Sequence, residues 1–262
     1  MFPYLFDWVI AGHHFRPPTY GVLLALGFSF GYFEAIRRCM KLEEDPKHIE
    51  NLFLTVVVGS ILGSRLFHVV FEEPAYYLKN PSKISAVWEG GYTFYGALLL
   101  SLAFIYIYAR KKKLNFLQFA DIGTPSTLIG LFIGRIGCFA AGCCWGIPTN
   151  VSWGVMFKNP EAFTDIHTTV VHPTQLYESL AGLSLLFYTE WLFGRRRYPG
   201  QVFFHALIGY AASRFLIEFY RGDAYRGFIF GGALSYSQFI SVIIIPFALI
   251  GMFVYSRMKE DV

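Results

Sequence analysis

Long runs of apolar residues, separated by short polar segments, dominate this chain. Seven of these runs approach the length of about 20 residues that crosses the hydrocarbon core of a bilayer. They lie near residues 20–36, 52–71, 94–109, 122–141, 175–193, 201–219 and 236–255. The pattern predicts an all-α polytopic membrane protein, in which seven transmembrane helices form a single integral-membrane domain over residues 1–262. Gly123 and Pro125 also predict a break in the fourth helix, because proline removes a backbone donor.

The basic residues between the apolar segments predict the orientation of the chain. They concentrate after the first, third, fifth and seventh segments: Arg37, Arg38, Lys41 and Lys47; Arg110, Lys111, Lys112 and Lys113; Arg195, Arg196 and Arg197; Arg257 and Lys259. The remaining loops, which include the long stretches 72–93 and 142–174, carry fewer basic residues. Because cytoplasmic loops collect lysine and arginine, we expect the N-terminus outside the cell and the C-terminus in the cytoplasm.

Composition supports a membrane protein and argues against other classes. Hydrophobic residues make up 55% of the chain and charged residues 15%, whereas soluble domains carry roughly 25% charged residues. The net charge of +4 comes from the short basic loops, so it reports topology, and we expect no nucleic-acid partner. Four cysteines (Cys39, Cys138, Cys143 and Cys144) are too few for a disulfide scaffold.

Three arginines lie within segments that should run from the inside of the membrane to the outside. Arg65, Arg135 and Arg214 each precede the outer end by about two helical turns, which places them roughly 9 Å below the surface. Each could reach the interface independently. Three at a matched depth instead favour a shared anion, because guanidinium groups bind phosphate through paired hydrogen bonds. Glu218 follows Arg214 on the same helix face, which predicts a local ion pair.

Other polar residues are expected at the same level of the membrane. Tyr20 and Tyr95 begin the first and third segments, and His172, Gln175 and Glu178 begin the fifth. The tyrosines could alternatively anchor the chain in an aromatic belt, and His172 could be a loop residue. For Cys138, Cys143 and Cys144 we keep three interpretations: packing residues, a disulfide, or a thiol activated by Arg135. A zinc site with His167 or His172 is a fourth interpretation, although the spacing matches no standard zinc motif.

Several motifs, in order, resemble the prolipoprotein diacylglyceryl transferase family, and the resemblance runs from about Arg16 to Arg257. They are Thr19-Tyr-Gly21, Gly63-Ser-Arg65, Trp88-Glu-Gly-Gly91 with Tyr95-Gly96, Asp121, Gly134-Arg-Ile-Gly137, His172-Pro-Thr-Gln-Leu-Tyr-Glu178, Ser213-Arg-Phe-Leu-Ile-Glu-Phe-Tyr-Arg221 and Ser235-Tyr-Ser-Gln238. The resemblance implies transfer of the sn-1,2-diacylglyceryl group from phosphatidylglycerol to the lipobox cysteine of a prolipoprotein signal peptide. A thioether forms and glycerol 1-phosphate leaves, with no cofactor or metal. The implied location is the bacterial cytoplasmic (inner) membrane, among membrane lipids, with the active site toward the outer leaflet.

The resemblance also implies roles for individual residues. Arg135 and Arg214 would hold the phosphate and glycerol of the head group, and Tyr95 would lie near the reacting thiol; these three are the candidate catalytic residues. The candidate substrate-binding residues are Tyr20, Arg65, Gly96, Cys138, Gly142, Cys143, His172, Gln175, Glu178 and Glu218. Because a phenol is mostly protonated at neutral pH, we expect positioning and leaving-group stabilisation to matter more than proton abstraction.

One stretch departs from the family pattern Gly-Arg-x-Gly-Asn-Phe-x-Asn-Gly-Glu-x-x-Gly. Cys138 and Ala141 replace the two asparagines, and Cys143 replaces the glutamate, so stronger hydrogen-bonding groups are lost. A paralogue that transfers a phospholipid-derived group to another acceptor is therefore an alternative. A lipid or anion transporter is a second alternative, although the chain shows no internal repeat. A redox or metal-sensing membrane protein that uses the outer cysteines is a third.

Overall fold

A computed structural model describes residues 2–10, 12–86, 90–164, 166–222 and 227–257, and shows a mainly helical chain. The helices are α1 (Thr19–Lys41), α2 (Pro46–Phe67), α3 (Pro74–Lys79), α4 (Phe94–Lys112), α5 (Phe116–Ala141), α6 (Thr174–Phe193), α7 (Gln201–Ile217) and α8 (Tyr236–Arg257). Every long helix coincides with one of the predicted apolar segments. This arrangement is that of a helical membrane protein.

Five helical stretches in the described part of the chain are long and apolar enough to cross a membrane. They are Thr19–Lys41, Pro46–Glu72, Phe116–Ala141, Gln201–Tyr220 and Tyr236–Arg257. Helices α4 and α6 occupy the positions of the third and fifth predicted segments but are not among these five. The count of seven crossings, the orientation of the termini and the single domain stay predictions.

Short elements lie in the connections between the helices. Strands β1 (Trp8–Ile10) and β2 (His13–Phe15) pair antiparallel, as do β3 (Phe228–Ile229) and β4 (Leu234–Ser235). A π-helical turn, His68–Glu72, continues α2, and single 3₁₀ turns span Pro81–Ser85, Glu218–Tyr220 and Phe230–Gly232. Because each strand has only two or three residues, these hairpins leave the fold class helical.

The predicted break near Pro125 is wrong, because α5 continues through it from Phe116 to Ala141. Hydroxyl groups beside the proline bond the helix backbone: Thr124 Oγ1 donates to Ala120 O at 2.7 Å, and Thr127 Oγ1 donates to Gly123 O at 3.0 Å. Neither bond reaches Asp121 O, the carbonyl that Pro125 leaves without its helical donor, but membrane helices contain proline more often than soluble helices do. Arg135 is therefore carried on one uninterrupted helix.

The helices form two compact units, Met1–Ala35 with Ala120–Val262 (the first unit) and Ile36–Phe119 (the second unit). In the first unit, α1 and α5 approach closely through small residues. A Cβ on Gly27 would lie 3.3 Å from Gly130 Cα, and one on Gly31 would lie 3.0 Å from Ser126 O. Small residues allow such close packing between membrane helices, so the α1 and α5 backbones hold a fixed spacing.

Buried polar side chains fix the starts of α7 and α8 in the first unit. Asp121 accepts backbone hydrogen bonds from Gly200 at 2.8 Å and Phe203 at 2.9 Å, at the first turn of α7. Ser235 Oγ accepts from the Gln238 N–H at 3.2 Å, and Gln238 Oε1 accepts from the Ser235 N–H at 3.0 Å. This reciprocal pair is a capping box at the start of α8. Both helices are thereby anchored where they enter the packed core.

In the second unit, α2 and α4 cross in close contact. Gly63 and Gly96 face each other, and a side chain on either glycine would overlap the carbonyl of the other. A Cβ on Gly59 would lie 2.8 Å from Ser101 Cα, and the Ser60 and Ser101 hydroxyls lie 3.0 Å apart. Close backbone packing plus a hydroxyl contact is a typical way for membrane helices to associate.

Candidate functional site

Three arginines converge on the carboxylate of Glu178, near the start of α6. Arg135 Nη2, on α5, lies 2.6 Å from Glu178 Oε2. Glu178 Oε1 lies 3.4 Å from Arg214 Nη1, on α7, and 3.1 Å from Arg221 Nη1, just after α7. The Glu178 side chain is only 2% exposed, so water screens these charges weakly. The predicted gathering of Arg135 and Arg214 is therefore present within the first unit.

Arg214 also has an acidic partner close to it along the chain. Its Nη2 lies 2.7 Å from Glu218 Oε2 and donates to Ser237 Oγ at 3.0 Å. The ion pair predicted from the spacing of Arg214 and Glu218 is confirmed. We call Arg135, Glu178, Arg214, Glu218 and Arg221 the arginine cluster; its three cations and two anions leave one positive charge in excess.

The three guanidinium groups differ in exposure. The Arg135 side chain is 20% exposed, against 12% for Arg214 and 6% for Arg221. The two most buried cations contact Glu178 Oε1, whereas Arg135, which contacts Oε2, is the most exposed of the three.

Arg221 is a member of the arginine cluster that the sequence did not single out. It follows Arg214 by about two helical turns, so a helix continued past Ile217 would place both on one face. The 3₁₀ turn Glu218–Tyr220 continues the chain in this direction, and the Arg221 N–H donates to Glu218 O at 3.2 Å. The spacing from Arg214 was the signal that could have identified it.

The loop after α5 is tied to the start of α6 by two side chains with no exposed surface. Gln175 Nε2 donates to Cys143 O at 2.6 Å, and Thr174 Oγ1 donates to Cys144 O at 2.8 Å. Gly142 has φ +85°, and a Cβ there would lie 2.8 Å from a neighbouring side chain. Only glycine adopts this conformation without strain. Gln175, Gly142 and Cys143, all predicted site residues, are thus brought together.

His172 lies beside this loop and contacts two tyrosines. Its Nδ1 is 2.9 Å from Tyr177 Oη, which also accepts a hydrogen bond from Trp153 Nε1 at 2.7 Å. The Tyr220 ring centroid lies 5.1 Å from that of His172. The His172 carbonyl accepts a hydrogen bond from the Gly146 N–H at 2.9 Å. These contacts order the loop, and the role of His172 in substrate binding stays a prediction.

Tyr20, near the start of α1, lies against the C-terminal part of α5. A Cβ on Gly137 would lie 3.2 Å from Tyr20 Cδ2, so the glycine makes room for the aromatic ring. Tyr20 is 40% exposed. The ring therefore lies on the helix that carries Arg135 and keeps an accessible face, which is compatible with its predicted place in a head-group pocket.

Cys138, Cys143 and Cys144 form a group of three thiols at the end of α5. Their Sγ atoms all lie within 4.8 Å of one another, and all three are free thiols. Hydrogen bonds from the thiols of Cys138 and Cys143, aided by the charges of Arg221 and Arg135, lower the pKa of Cys144 despite its burial. Hydrogen bonding within the group raises the pKa of Cys143. The three thiols therefore form one interacting group near the charges of Arg135 and Arg221.

Arg65 belongs to the second unit, where its guanidinium binds backbone carbonyls. Nε donates to Ile84 O at 3.0 Å, Nη2 donates to Lys83 O at 2.5 Å, and Nη1 donates to Gly90 O. The guanidinium carbon lies 5.1 Å from the Tyr77 ring centroid. Arg65 thus organises the connection between α3 and α4. A role for Arg65 in binding substrate stays a prediction.

Tyr95 and Gly96 begin α4 in the same unit. Tyr95 is 51% exposed, whereas Gly96 is buried against Gly63. Helix packing alone therefore explains why position 96 is glycine. Trp88 and Glu89, from the motif that precedes them, lie outside the described residues. The catalytic role of Tyr95 and the binding role of Gly96 stay predictions.

Comparison with known proteins identifies the family of this chain. A family model described as "Prolipoprotein diacylglyceryl transferase" matches residues 9–254, nearly the whole chain. The chain belongs to the prolipoprotein diacylglyceryl transferase family. It is therefore a transferase, as the order of its motifs predicted.

Curated relatives cover almost the full length of the chain. Each of the following carries the name phosphatidylglycerol–prolipoprotein diacylglyceryl transferase. The protein of Bordetella parapertussis is 37% identical over 241 residues, which cover 90% of this chain and 88% of the relative. That of Clostridium tetani is 36% identical over 238 residues, covering 90% and 91%. That of Geobacter sulfurreducens is 37% identical over 246 residues, covering 91% and 90%.

Proposed function

We propose that this transferase moves the sn-1,2-diacylglyceryl group of phosphatidylglycerol to the lipobox cysteine thiol of a prolipoprotein. The sulfur forms a thioether bond to the glyceryl carbon, the carbon–oxygen bond to the phosphate breaks, and glycerol 1-phosphate leaves. The observation that supports this most strongly is the convergence of Arg135, Arg214 and Arg221 on Glu178 with one positive charge in excess. Such a cluster suits a phosphodiester, which carries one negative charge.

Within the arginine cluster, Glu178 separates cations that would otherwise repel one another. It also orients the Arg135 and Arg214 guanidinium groups before any ligand arrives. Arg135, the most exposed of the three, is suited to pair with the phosphate oxygens, while Arg214 is held by Glu218 and Ser237. Cationic groups fixed in advance stabilise the charge that develops on the leaving phosphate, which lowers the barrier to carbon–oxygen cleavage.

The other predicted residues act around this centre. Tyr20 lines the head-group pocket, and Gln175, Gly142, His172 and the loop that they order shape it. Cys138 and Cys143 stand where the family carries asparagine and glutamate, so they contact the substrate through weaker hydrogen-bonding groups. Glu218 keeps Arg214 in place.

In the second unit, Tyr95 acts near the acceptor thiol, as the family resemblance implies. Gly96 acts through its close packing on α2, which leaves the start of α4 in a fixed position. Arg65 acts by holding the carbonyls of Lys83, Ile84 and Gly90. These roles rest on positioning, which supplies a large share of the rate in reactions between two bound partners.

The proposed setting is the bacterial cytoplasmic (inner) membrane. Seven crossings, an external N-terminus and a cytoplasmic C-terminus follow from the distribution of basic residues. With this orientation the arginine cluster faces the outer leaflet, where it meets membrane phosphatidylglycerol and the prolipoprotein signal peptide. One integral-membrane domain, residues 1–262, carries the whole reaction.

The test is transfer of labelled phosphatidylglycerol to a lipobox peptide by the protein in liposomes. We expect the label in the peptide, attached through a linkage that resists thioester cleavage. A matched peptide with serine in place of the lipobox cysteine should stay unlabelled. Absence of label in the cysteine peptide, with label on another acceptor, would contradict the proposed acceptor and favour the paralogue.

A further inference from the structure

The proposed transfer uses Cys138 and Cys143 only as weak hydrogen-bonding groups, and it does not explain why three thiols gather closely at the end of α5. The Sγ atoms of Cys138, Cys143 and Cys144 lie within 4.8 Å of one another. Four ligands at the vertices of a zinc tetrahedron, with zinc–sulfur bonds of about 2.3 Å, place sulfurs roughly 3.8 Å apart. The observed grouping therefore needs only small side-chain rotations to hold a cation of this size.

The backbone around these thiols is fixed from several directions. The N–H groups of Gly142 and Cys143 both donate to Cys138 O, at 2.9 and 3.2 Å. Gln175 holds the Cys143 carbonyl, and Cys144 adopts the left-handed conformation with φ +64°. A non-glycine residue in that conformation is uncommon and strained, and such strain concentrates at functional sites. The turn thus presents two thiols beside a third from the helix.

We propose that Cys138, Cys143 and Cys144 bind one thiophilic metal cation, Zn²⁺, as thiolates, with the fourth coordination position left to an exogenous ligand. Among the histidine, cysteine and acidic side chains in the described part of the chain, these three have ligand atoms close enough together to share one metal ion. Thiolates prefer soft or borderline cations such as Zn²⁺ over Mg²⁺ or Ca²⁺. Three protein ligands with one open position are the arrangement of zinc sites that accept a substrate or water.

The charges around the group favour such a complex. Zn²⁺ with three thiolates carries one net negative charge, and it would be placed in an apolar setting at the end of a membrane helix. Arg135 lies three residues before Cys138 on α5, which places both side chains on one face of the helix. The arginine cluster, with its excess positive charge, therefore compensates for the charge of the metal complex. This inference does not rest on the proposed transfer, since its test measures metal alone.

The experiment measures metal binding by the whole protein in detergent, reduced and freed of metal under nitrogen. Zn²⁺ is titrated against a chromophoric chelator, and bound metal is counted by mass spectrometry after gel filtration. We expect one Zn²⁺ per chain in the unsubstituted protein and in the control Cys39→Ser. Binding should be lost in each of Cys138→Ser, Cys143→Ser and Cys144→Ser.

A second measurement needs no variant and so does not depend on their folding. Zn²⁺ should protect three thiols of the unsubstituted protein from alkylation, and Cd²⁺ in its place should give an ultraviolet sulfur-to-metal absorption band. Either no stoichiometric Zn²⁺ with all thiols reduced, or Zn²⁺ that persists in the three cysteine variants, would overturn the proposal. Loss of two thiols to a disulfide before reduction, with no Zn²⁺ bound after reduction, would overturn it as well.

Discussion

Glu178 Oε2 lies 2.6 Å from Arg135 Nη2, and this contact joins α6 to the helix that carries the family's Gly-Arg-x-Gly stretch. Glu178 also contacts Arg214 and Arg221, so one buried carboxylate contacts three cations. Removing one partner of a buried ion pair is costly because the remaining charges stay buried without compensation. The arginine cluster is therefore a structural centre of the first unit as well as the proposed binding site.

Glu178→Gln keeps the shape of the side chain but removes its charge. The excess of the arginine cluster rises from one positive charge to two, so the guanidinium groups repel one another. We expect the free energy of unfolding to fall by up to roughly 3–5 kcal/mol, as is typical of a broken buried pair. Thermal unfolding in detergent should therefore occur at a lower temperature, and transfer should be lost. Glu190→Gln, toward the other end of α6, is the matched control. Equal unfolding temperatures for the two variants would contradict this role.

Arg214→Lys tests the bridging geometry of the guanidinium. Arg214 contacts Glu178, Glu218 and Ser237 through two nitrogens, whereas a lysine ammonium is a single point charge. We expect kcat/KM for phosphatidylglycerol to fall by roughly 10²–10³-fold, the cost of removing one preorganised donor. Arg195→Lys, just after α6, should leave kcat/KM unchanged. A full rate in Arg214→Lys would mean that charge alone suffices at this position.

Arg65→Lys tests the order of the connection between α3 and α4. Lysine cannot reach the carbonyls of Lys83, Ile84 and Gly90 together, and each hydrogen bond lost is worth about 0.5–1.5 kcal/mol. We expect limited proteolysis to cleave within residues 80–93 much faster than in the unsubstituted protein. Arg110→Lys, at the end of α4, serves as the control. Unchanged cleavage in Arg65→Lys would show that the three hydrogen bonds do not order this segment.

Gly146→Ala tests the packing of the loop beside His172. A Cβ at this position would lie 2.5 Å from Tyr220 O and 2.6 Å from His172 O, and both atoms belong to the backbone. Because backbone cannot rotate away, we expect a loss of about 1–3 kcal/mol, measured by thermal unfolding. Gly194→Ala is a clean comparison, since a Cβ there meets nothing within 4 Å. Equal unfolding temperatures for Gly146→Ala and Gly194→Ala would show that the close backbone approach at Gly146 does not affect stability.

The helices were accessible from the sequence because a bilayer demands long apolar segments with internally bonded backbone. Each predicted segment is a helix, and local spacing correctly predicted the pair of Arg214 and Glu218. Pro125 misled the prediction, since membrane helices contain proline more often than soluble helices do. Local sequence patterns therefore predicted the features that depend on residues close together in the chain.

Contacts between distant parts of the chain were harder to predict. Depth in the membrane suggested that Arg135 and Arg214 meet, but it could not assign Glu178 as their common partner. Arg221 lies beyond the predicted segment that carries Arg214, so depth in the membrane did not single it out, although its spacing places it on the same helix face. Arg65 has the same predicted depth as Arg135 and Arg214, yet in the second unit its guanidinium donates hydrogen bonds to backbone carbonyls. A guanidinium at this depth can either bind an anion or stabilise the fold through backbone carbonyls. Only the contacts seen in the structure distinguish these two roles.

The most direct test of the central claim compares Arg135→Ala and Arg214→Ala with the unsubstituted protein in liposomes that contain labelled phosphatidylglycerol and a lipobox peptide. Membrane insertion and thermal unfolding of each variant are measured in the same preparation. If the arginine cluster binds the phosphate and stabilises its departure, both variants insert and unfold cooperatively but transfer no measurable label. Transfer at the unsubstituted rate by either variant would contradict a phosphate site built on these arginines.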